Sequence, residues 1–519
     1  MAARLNRLFS RPQYLVAPAS VAVVFSAYAL NQNGASSSKT VDIGADPMLR
    51  SSSIGSLIGT WIVYKSCRFL RKSIVHTGSI PGLRELSHLV IRHTFFKQFV
   101  GGDTAEDCIP VMRRLRDVNI GCMLTYSVEE ESAEQSDEHG TLDLIRANVQ
   151  EAIRSIQVAG EENRKVTPAG QIGSTWVAVK LTGMTDPEIL RRASDLILQQ
   201  RKEESKKGSA QPSVPYPGSP TDLELARYMA QDQTSLSASD LARLRVLHAD
   251  MRHILTVARD EGVRIIIDSE QSWYQPATDV MQMILSNEFN KLPSPSDSNA
   301  PAVFPLLYGT FQCYLQRNIP HLRQSLQHAR ENGYCLGAKL VRGAYREQEL
   351  QHWINTGKEG IAPVWANKAE TDACYNECLD IVVDEIAKDK DSTSPRVGLI
   401  LATHNQKSAE RLIEKMKENG LARSTVNGVE VDALVRKRII IAQLYGMNDS
   451  MTSWLSHVFA PNGEPMVLNY VPYGALAEVM PYLSRRAVEN KSVLGGETGA
   501  KFEATRVWGE MKRRMNSLG

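Results

Sequence analysis

The chain has 519 residues, 42% of them hydrophobic and 23% charged, with a formal net charge of +2 at pH 7. These values suit an ordinary globular protein and give no sign of a nucleic-acid partner. The length allows one large domain with additions, or two or three domains. Seven cysteines, at 67, 108, 122, 313, 335, 374 and 378, form no Cys-x-x-Cys pair and no Cys/His group of zinc spacing. A reduced, intracellular chain with free thiols and no metal is expected. Cys374 and Cys378 stand one helical turn apart and read as neighbours on a helix face.

Arg4, Arg7 and Arg11 precede the first acidic residue, Asp42, with Ser, Ala and Leu between them. That is the pattern of a mitochondrial transit segment. Residues 14–30 are uncharged but include Pro18, and they fall short of the roughly 20 apolar residues of a span. A retained anchor or a plain tail stay open as alternatives. Residues 31–60 are rich in Ser and Gly. Leu83, Leu86, Leu89, Val90, Phe95 and Phe96 then recur at helical spacing, and a helix at 105–116 follows.

From residue 120 short apolar runs alternate with longer amphipathic stretches. The runs are 120–126, 176–181, 263–268, 303–308, 335–341, 397–402, 439–444 and 466–471. They are apolar on both faces and often β-branched, as strands of a covered parallel sheet should be. Helices are expected at 141–159, 187–200, 240–260, 276–287, 319–332, 366–388, 406–419, 449–458 and 473–490. Eight strands, each followed by a helix, predict an α/β fold, a (β/α)₈ barrel with an N-terminal helical extension. An open doubly wound sheet shares the alternation, but no Gly-rich fingerprint follows the first strand. Residues 201–220 read as a surface insertion after the second strand, before an extra helix. Residues 291–301 read as a second Pro/Ser loop and 129–138 as an acidic loop. The expected organisation is a transit segment at 1–40, a helical region at 41–118 and a barrel domain at 119–510.

Function in such a barrel sits at the C-terminal ends of the strands. There the sequence places Lys180, then Asp268 and Glu270, Gln312, Lys339 with Val341 to Tyr345, Thr403 to Asn405, Gln443 and Leu444, and Tyr470. Each has an ordinary reading. Lys180 or Lys339 could simply pair with Asp268 or Glu270, and Thr403 or Asn405 could cap a helix. Polar residues at consecutive strand ends are nonetheless hard to explain by stability, because unpaired polar groups cost energy when buried. Together they describe a net-positive cup. It suits a small carboxylate beside a larger planar or phosphorylated cofactor. Near the end stand adjacent arginines, Arg485 and Arg486, with Glu489 one helical turn on. Two planar guanidinium forks suit a carboxylate, and Glu489 can hold either one.

The ordered motifs Lys180-Leu181, Asp268-Ser269-Glu270, Gln312-Cys313-Tyr314-Leu315, Leu340-Val341-Arg342-Gly343-Ala344-Tyr345, Ala402-Thr403-His404-Asn405, Gly446-Met447, Tyr470-Val471-Pro472 and Tyr482-Leu483-Ser484-Arg485-Arg486-Ala487-Val488-Glu489-Asn490 resemble the proline dehydrogenase family. The resemblance covers about residues 120–500. It implies a barrel with non-covalent FAD that oxidises L-proline to 1-pyrroline-5-carboxylate and passes electrons to ubiquinone. It also implies a monofunctional mitochondrial member on the matrix side of the inner membrane, without the aldehyde-oxidising domain of some bacterial relatives. By residue match, Arg485, Arg486 and Lys180 would clamp the proline carboxylate. Tyr470 would pack on the ring, in a pocket shared with Asp268, Ala344, Tyr345 and Leu444. Gln312, Lys339, Val341, Arg342, Gly343, Thr403, His404 and Asn405 would hold the flavin, and Glu489 would brace the arginines. Lys339 stands where many relatives carry Arg and is the candidate for the flavin N1–N5 edge. No residue stands out as the base for the proline amine. Glu129 or Glu130 could gate Arg485. Hydroxyproline dehydrogenase, a Schiff-base lyase using Lys180 or Lys339, and a non-catalytic scaffold are the rival readings.

Overall fold

The two-faced apolar runs do form a closed barrel. The computed structural model describes residues 57, 61, 88–89, 91–127, 138–167, 173–206, 236–293, 304–357, 360–392, 394–426, 428–459, 463–493 and 500–516. Strands β1 (Gly121–Tyr126), β2 (Thr175–Val179), β3 (Ile265–Ile267), β4 (Leu307–Gln312), β5 (Leu336–Val341) and β6 (Val397–Ala402) are followed by a small hairpin. The hairpin strands are β7 (Ala422–Thr425) and β8 (Gly428–Val431), and β9 (Ile439–Leu444) and β10 (Val467–Tyr473) complete the set. The barrel order is β1, β10, β9, β6, β5, β4, β3, β2, and every barrel pairing is parallel. The ring closes where β1 meets β10, from Gly121 opposite Leu468 to Tyr126 opposite Tyr473. This is the (β/α)₈ architecture that the alternation predicts.

Side chains alternate along each strand, so each strand feeds two cores. Met123, Trp176, Ile266, Tyr308, Ile400 and Leu468 pack the lumen, with Tyr470 against them. The opposite faces pack on the helix layer in the larger core. Local signals set the helix ends. Ser237 and Asp240 make a reciprocal capping box for Ala238–Glu261, which stops at Gly262 with φ 65°. Glycine takes that left-handed conformation without a Cβ penalty.

Three expectations need correction. The fourth strand is Leu307–Gln312, not 303–308. Pro305 offers no N–H to a ladder, and Asn290 instead holds the strand entry by accepting from Leu306 N and Leu307 N, both at 2.9 Å. The strand itself runs through Gly309, Thr310 and Gln312, whose weak apolar signal hides it. The arginine-bearing helix spans Met480–Val493, not 473–490. Tyr473 is the last residue of β10, and Gly474 turns the chain at φ 143°. Of the helical region expected at 83–96, residues 83–87 and 90 lie outside the described residues; the described part is helical and continues to Phe99, with a π-helix at Arg92–Phe96. Helices Arg346–Asn355 and Ala500–Asn516 and the β7–β8 hairpin had no expected counterpart. Residues 1–40, 129–137, 207–235 and 294–303 lie outside the described residues, and with them the transit segment and the Glu129/Glu130 gate. Residues 201–206, expected in the insertion, continue the helix Pro187–Lys206.

The segment from Ile91 to Gly102 lies over the ends of β9 and β10. Ile91, Phe95, Phe96, Phe99 and Val100 pack with Met447, Val479, Tyr482 and Leu483. Each buried Phe contributes about 1.5–3 kcal/mol. Gln98 Nε2 donates to Gly446 O at 2.8 Å, Gly101 N to Pro472 O at 2.8 Å and Gly474 N to Gly102 O at 3.1 Å. Gly446 has φ 73°, and a Cβ there would stand 1.9 Å from Gln98 O. The segment therefore clasps the helix that carries the two arginines. Among the described residues no helix is long and apolar enough to cross a membrane.

Candidate active site

Inward-facing residues at the C-terminal strand ends form a first polar network. Asp268 stands one residue beyond β3. Lys339 of β5 pairs with its Oδ1, and Tyr470 OH of β10 donates to its Oδ2 at 2.8 Å. The same phenol lies 3.1 Å from Thr125 Oγ1 of β1. Lys339 Nζ sits 5.1 Å from the centre of the Tyr470 ring. Lys339 is only 6% exposed, so its ammonium needs the carboxylate beside it. Burial, then the Asp268 charge, holds the Tyr470 phenol well above its ordinary pKa, and it remains a hydrogen-bond donor. Lys180 is half-buried just past β2. Val179 pairs with Ile267, so Lys180 and Asp268 are the next residues in register.

The arginine helix is held down by Tyr482 and Leu483, both buried in the clasp. Arg486 is 4% exposed. Its Nη2 donates to Glu489 Oε1 at 2.8 Å, and its Nη1 lies 2.7 Å from Oε2. The guanidinium carbon is 5.0 Å from the centre of the Tyr482 ring. That of Arg485 is 5.9 Å from the centre of the Tyr345 ring. His404, after β6, accepts at Nε2 from Leu444 N at 3.1 Å. Burial and then the Arg486 charge push its pKa down to about 4. The ring is therefore neutral near pH 7, with its proton on Nδ1. That Nδ1 is buried and has no hydrogen-bond partner.

A second polar network lies across the ends of β4, β5 and β6. Arg342 donates from Nε to Asp372 Oδ1 at 2.5 Å, from Nη1 to Thr403 Oγ1 at 3.0 Å and from Nη2 to Ser408 Oγ at 2.9 Å. Its guanidinium lies 4.1 Å from the centre of the Tyr375 ring. Asn405 caps the helix Gln406–Glu418 by accepting from Ser408 N at 3.3 Å. Gln312 Nε2 donates to Glu270 O at 2.6 Å, while its Oε1 is buried without a partner. Val341 O accepts from Cys313 N at 2.8 Å. Gly343 has φ 119°, and a Cβ there would lie 1.6 Å from a Tyr314 ring carbon. Tyr314 OH in turn reaches buried Glu349 at 3.3 Å, and Glu349 also accepts from Ser272 N at 2.6 Å. Burial raises the Glu349 pKa. Ala344 is exposed at the rim.

The fold thus links Lys339, Asp268 and Tyr470 in one network and Arg342 with Thr403 in another, while Lys180 is placed by strand register beside Asp268 and Ala344 stays at the rim. Gln443 joins the second network from outside the barrel, donating from Nε2 to Thr403 O at 3.3 Å. It accepts from Thr452 Oγ1 at 2.7 Å, on the helix side of its strand. Asp372, Ser408, Tyr375, Thr125 and Glu349 escaped the sequence reading. Each is a lone polar or aromatic residue inside an ordinary pattern, and only the fold reveals its partner.

The sequence matches the family model described as "Proline dehydrogenase" over residues 108–496. "Proline dehydrogenase 1, mitochondrial" of Dictyostelium discoideum is 27% identical over 93% of this chain and 76% of its own length. "Hydroxyproline dehydrogenase" of Rattus norvegicus is 28% identical over 83% of this chain and 84% of its own length. Proline utilization A from Bdellovibrio bacteriovorus, solved by crystallography, superposes with a TM-score of 0.58 at 18% identity. That likeness concerns the fold, covers 87% of this chain and spans two-fifths (40%) of the solved chain. With three quarters of its length inside the matched region, the chain belongs to the proline dehydrogenase family of oxidoreductases.

Proposed function

We propose that this protein uses FAD to oxidise L-proline to 1-pyrroline-5-carboxylate, and that ubiquinone takes the electrons at the matrix side of the inner mitochondrial membrane. The observation that carries the reading is the Lys339–Asp268–Tyr470 network at the barrel mouth, beside a helix bearing Arg485 and Arg486. Arg485, Arg486 and Lys180 bind the substrate carboxylate, with Glu489 fixing the Arg486 plane. Tyr470, held by Asp268 and Thr125, supplies a fixed face for the pyrrolidine ring, and Tyr345, Ala344 and Leu444 complete the pocket. Orientation of this kind replaces a costly search with a near-attack geometry.

The residues at the β4–β6 ends fit a flavin. Two buried polar atoms without protein partners, Gln312 Oε1 and His404 Nδ1, offer an acceptor and a donor to its polar ring edge. Arg342 and the capped N-terminus of Gln406–Glu418 suit an anionic pyrophosphate. Lys339 adds a cation, while Val341, Gly343, Thr403 and Asn405 shape the surrounding backbone. When bound, FAD supplies the two-electron acceptor for breaking the C5–H bond. Each Asp268 oxygen accepts one hydrogen bond, from Lys339 and from Tyr470, and no residue stands out as the base for the proline amine.

A visible spectrum before and after anaerobic L-proline tests the reading. Flavin bands should bleach with proline and return on adding a quinone. A protein that takes up no FAD, or a flavin that ignores proline, would overturn it. The rat relative keeps hydroxyproline as a second reading. The Tyr470 ring fills the space a ring hydroxyl needs. Tyr470→Ser should raise kcat/KM for hydroxyproline relative to proline by about tenfold or more. An unchanged ratio would remove Tyr470 from the selectivity.

A further inference from the structure

Behind the barrel wall Cys313, the residue after β4, meets Cys374 and Cys378 of the helix Lys368–Lys388. The three Sγ atoms lie within 4.8 Å of one another, and all three residues are buried. One side-chain amide is aimed at two of them. Asn318 Nδ2 donates to Cys313 Sγ and to Cys378 Sγ, at 3.3 Å each. The Trp365 indole N–H is buried with no hydrogen-bond acceptor in range. Asn318 is 2% exposed, so its amide is fixed on the cluster.

Three sulfurs at this separation can close on one ion. Soft thiolate ligands select Cu(I), zinc or iron–sulfur centres. Structural zinc takes four ligands, and cubane or rhombic iron–sulfur clusters usually take four cysteines. Here the Asn318 amide presents N–H donors to two of the sulfurs, which cannot bind a cation, and the Phe311 carbonyl, 3.9 Å from Cys313 Sγ, belongs to the strand backbone. A soft monovalent ion that accepts three ligands fits best. We propose that Cys313, Cys374 and Cys378 form a three-sulfur site for Cu(I). On loading, two thiols lose their protons to solvent and the third sulfur binds as a thiol. The net charge of the centre is then −1, and the Asn318 amide N–H groups face it. The site is independent of the flavin reading, since it uses none of the same side chains.

The test is an anaerobic titration of the full-length protein with Cu(I) against a colorimetric Cu(I) chelator. One Cu(I) per chain should bind, with release of two protons, and X-ray absorption should show three sulfur neighbours and no nitrogen or oxygen. Cys378→Ser should abolish stoichiometric binding, and Asn318→Ala should weaken it about tenfold. Cys335→Ala, a buried thiol elsewhere, should leave it unchanged. In the wild type, bound Cu(I) should protect Cys313, Cys374 and Cys378 together from alkylation, mapped by mass spectrometry, which holds even if Cys378→Ser fails to fold. No uptake, equal uptake by Cys378→Ser, or protection of other cysteines instead would overturn the proposal. So would four-coordinate binding of Zn(II) in preference to Cu(I).

Discussion

Arg486→Met should raise KM for proline by at least about 30-fold, with a smaller effect on stability. The guanidinium is 4% exposed and pinned by Glu489, so the substrate carboxylate would meet a pre-set, desolvated charge. Truncating one side of such a pair typically costs about 2–5 kcal/mol, which sets the lower bound on the binding loss. Methionine keeps the apolar stem against Tyr482. Glu489, left behind, has a side chain 35% exposed and can return to water. Steady-state kinetics with proline, set beside a denaturation curve, separate the two effects. A KM near the wild-type value would take Arg486 out of the carboxylate clamp.

Asp268→Ala should be the most destabilising single change at the site. It strands the Lys339 ammonium, whose side chain is 7% exposed, and leaves Tyr470 OH with Thr125 alone. Breaking a buried pair from one side costs about 3–5 kcal/mol. Replacing both partners costs much less. The double variant Asp268→Ala with Lys339→Met should therefore recover most of the stability, while proline oxidation stays lost. Denaturation of both single variants and the double gives the coupling energy directly. A loss below about 1 kcal/mol in Asp268→Ala would mean that water reaches the Lys339 ammonium and screens it.

The barrel was legible because its strands are buried on both faces, and runs such as Ile439–Leu444 leave little else to choose. The register of β4 was not. Thr310 and Gln312 are polar residues that face inward, and their hydrogen bonds to Ile267 O and Glu270 O exist only once β3 lies alongside. The arginine helix was visible from its motif, but its start was not, because Pro472 and Tyr473 belong to a strand that ends at a glycine turn. At the site, residues that could touch a ligand showed themselves as polar residues at strand ends. Those that support them did not. Asp372 and Ser408 hold Arg342 from two different helices, and on a linear chain each looks like a solvated helix position. Glu349 sits in a helix that its Glu- and Gln-rich sequence made inconspicuous, yet it is 2% exposed.

The clasp over the arginine helix has a kinetic meaning. Gln98 and Gly446 are 348 positions apart, and Phe95 and Phe99 pack on Tyr482 and Leu483, further apart still. Contacts between such distant parts of a chain form late, because loop closure must be met before they give anything back. A chain emerging from its N-terminus holds Ile91–Gly102 as an unsatisfied apolar strip until β10 and the helix behind it have appeared. Both arginines of that helix would then fall into place only in the last step of assembly. Refolding followed by the fluorescence of the seven tryptophans should run ahead of the recovery of proline binding.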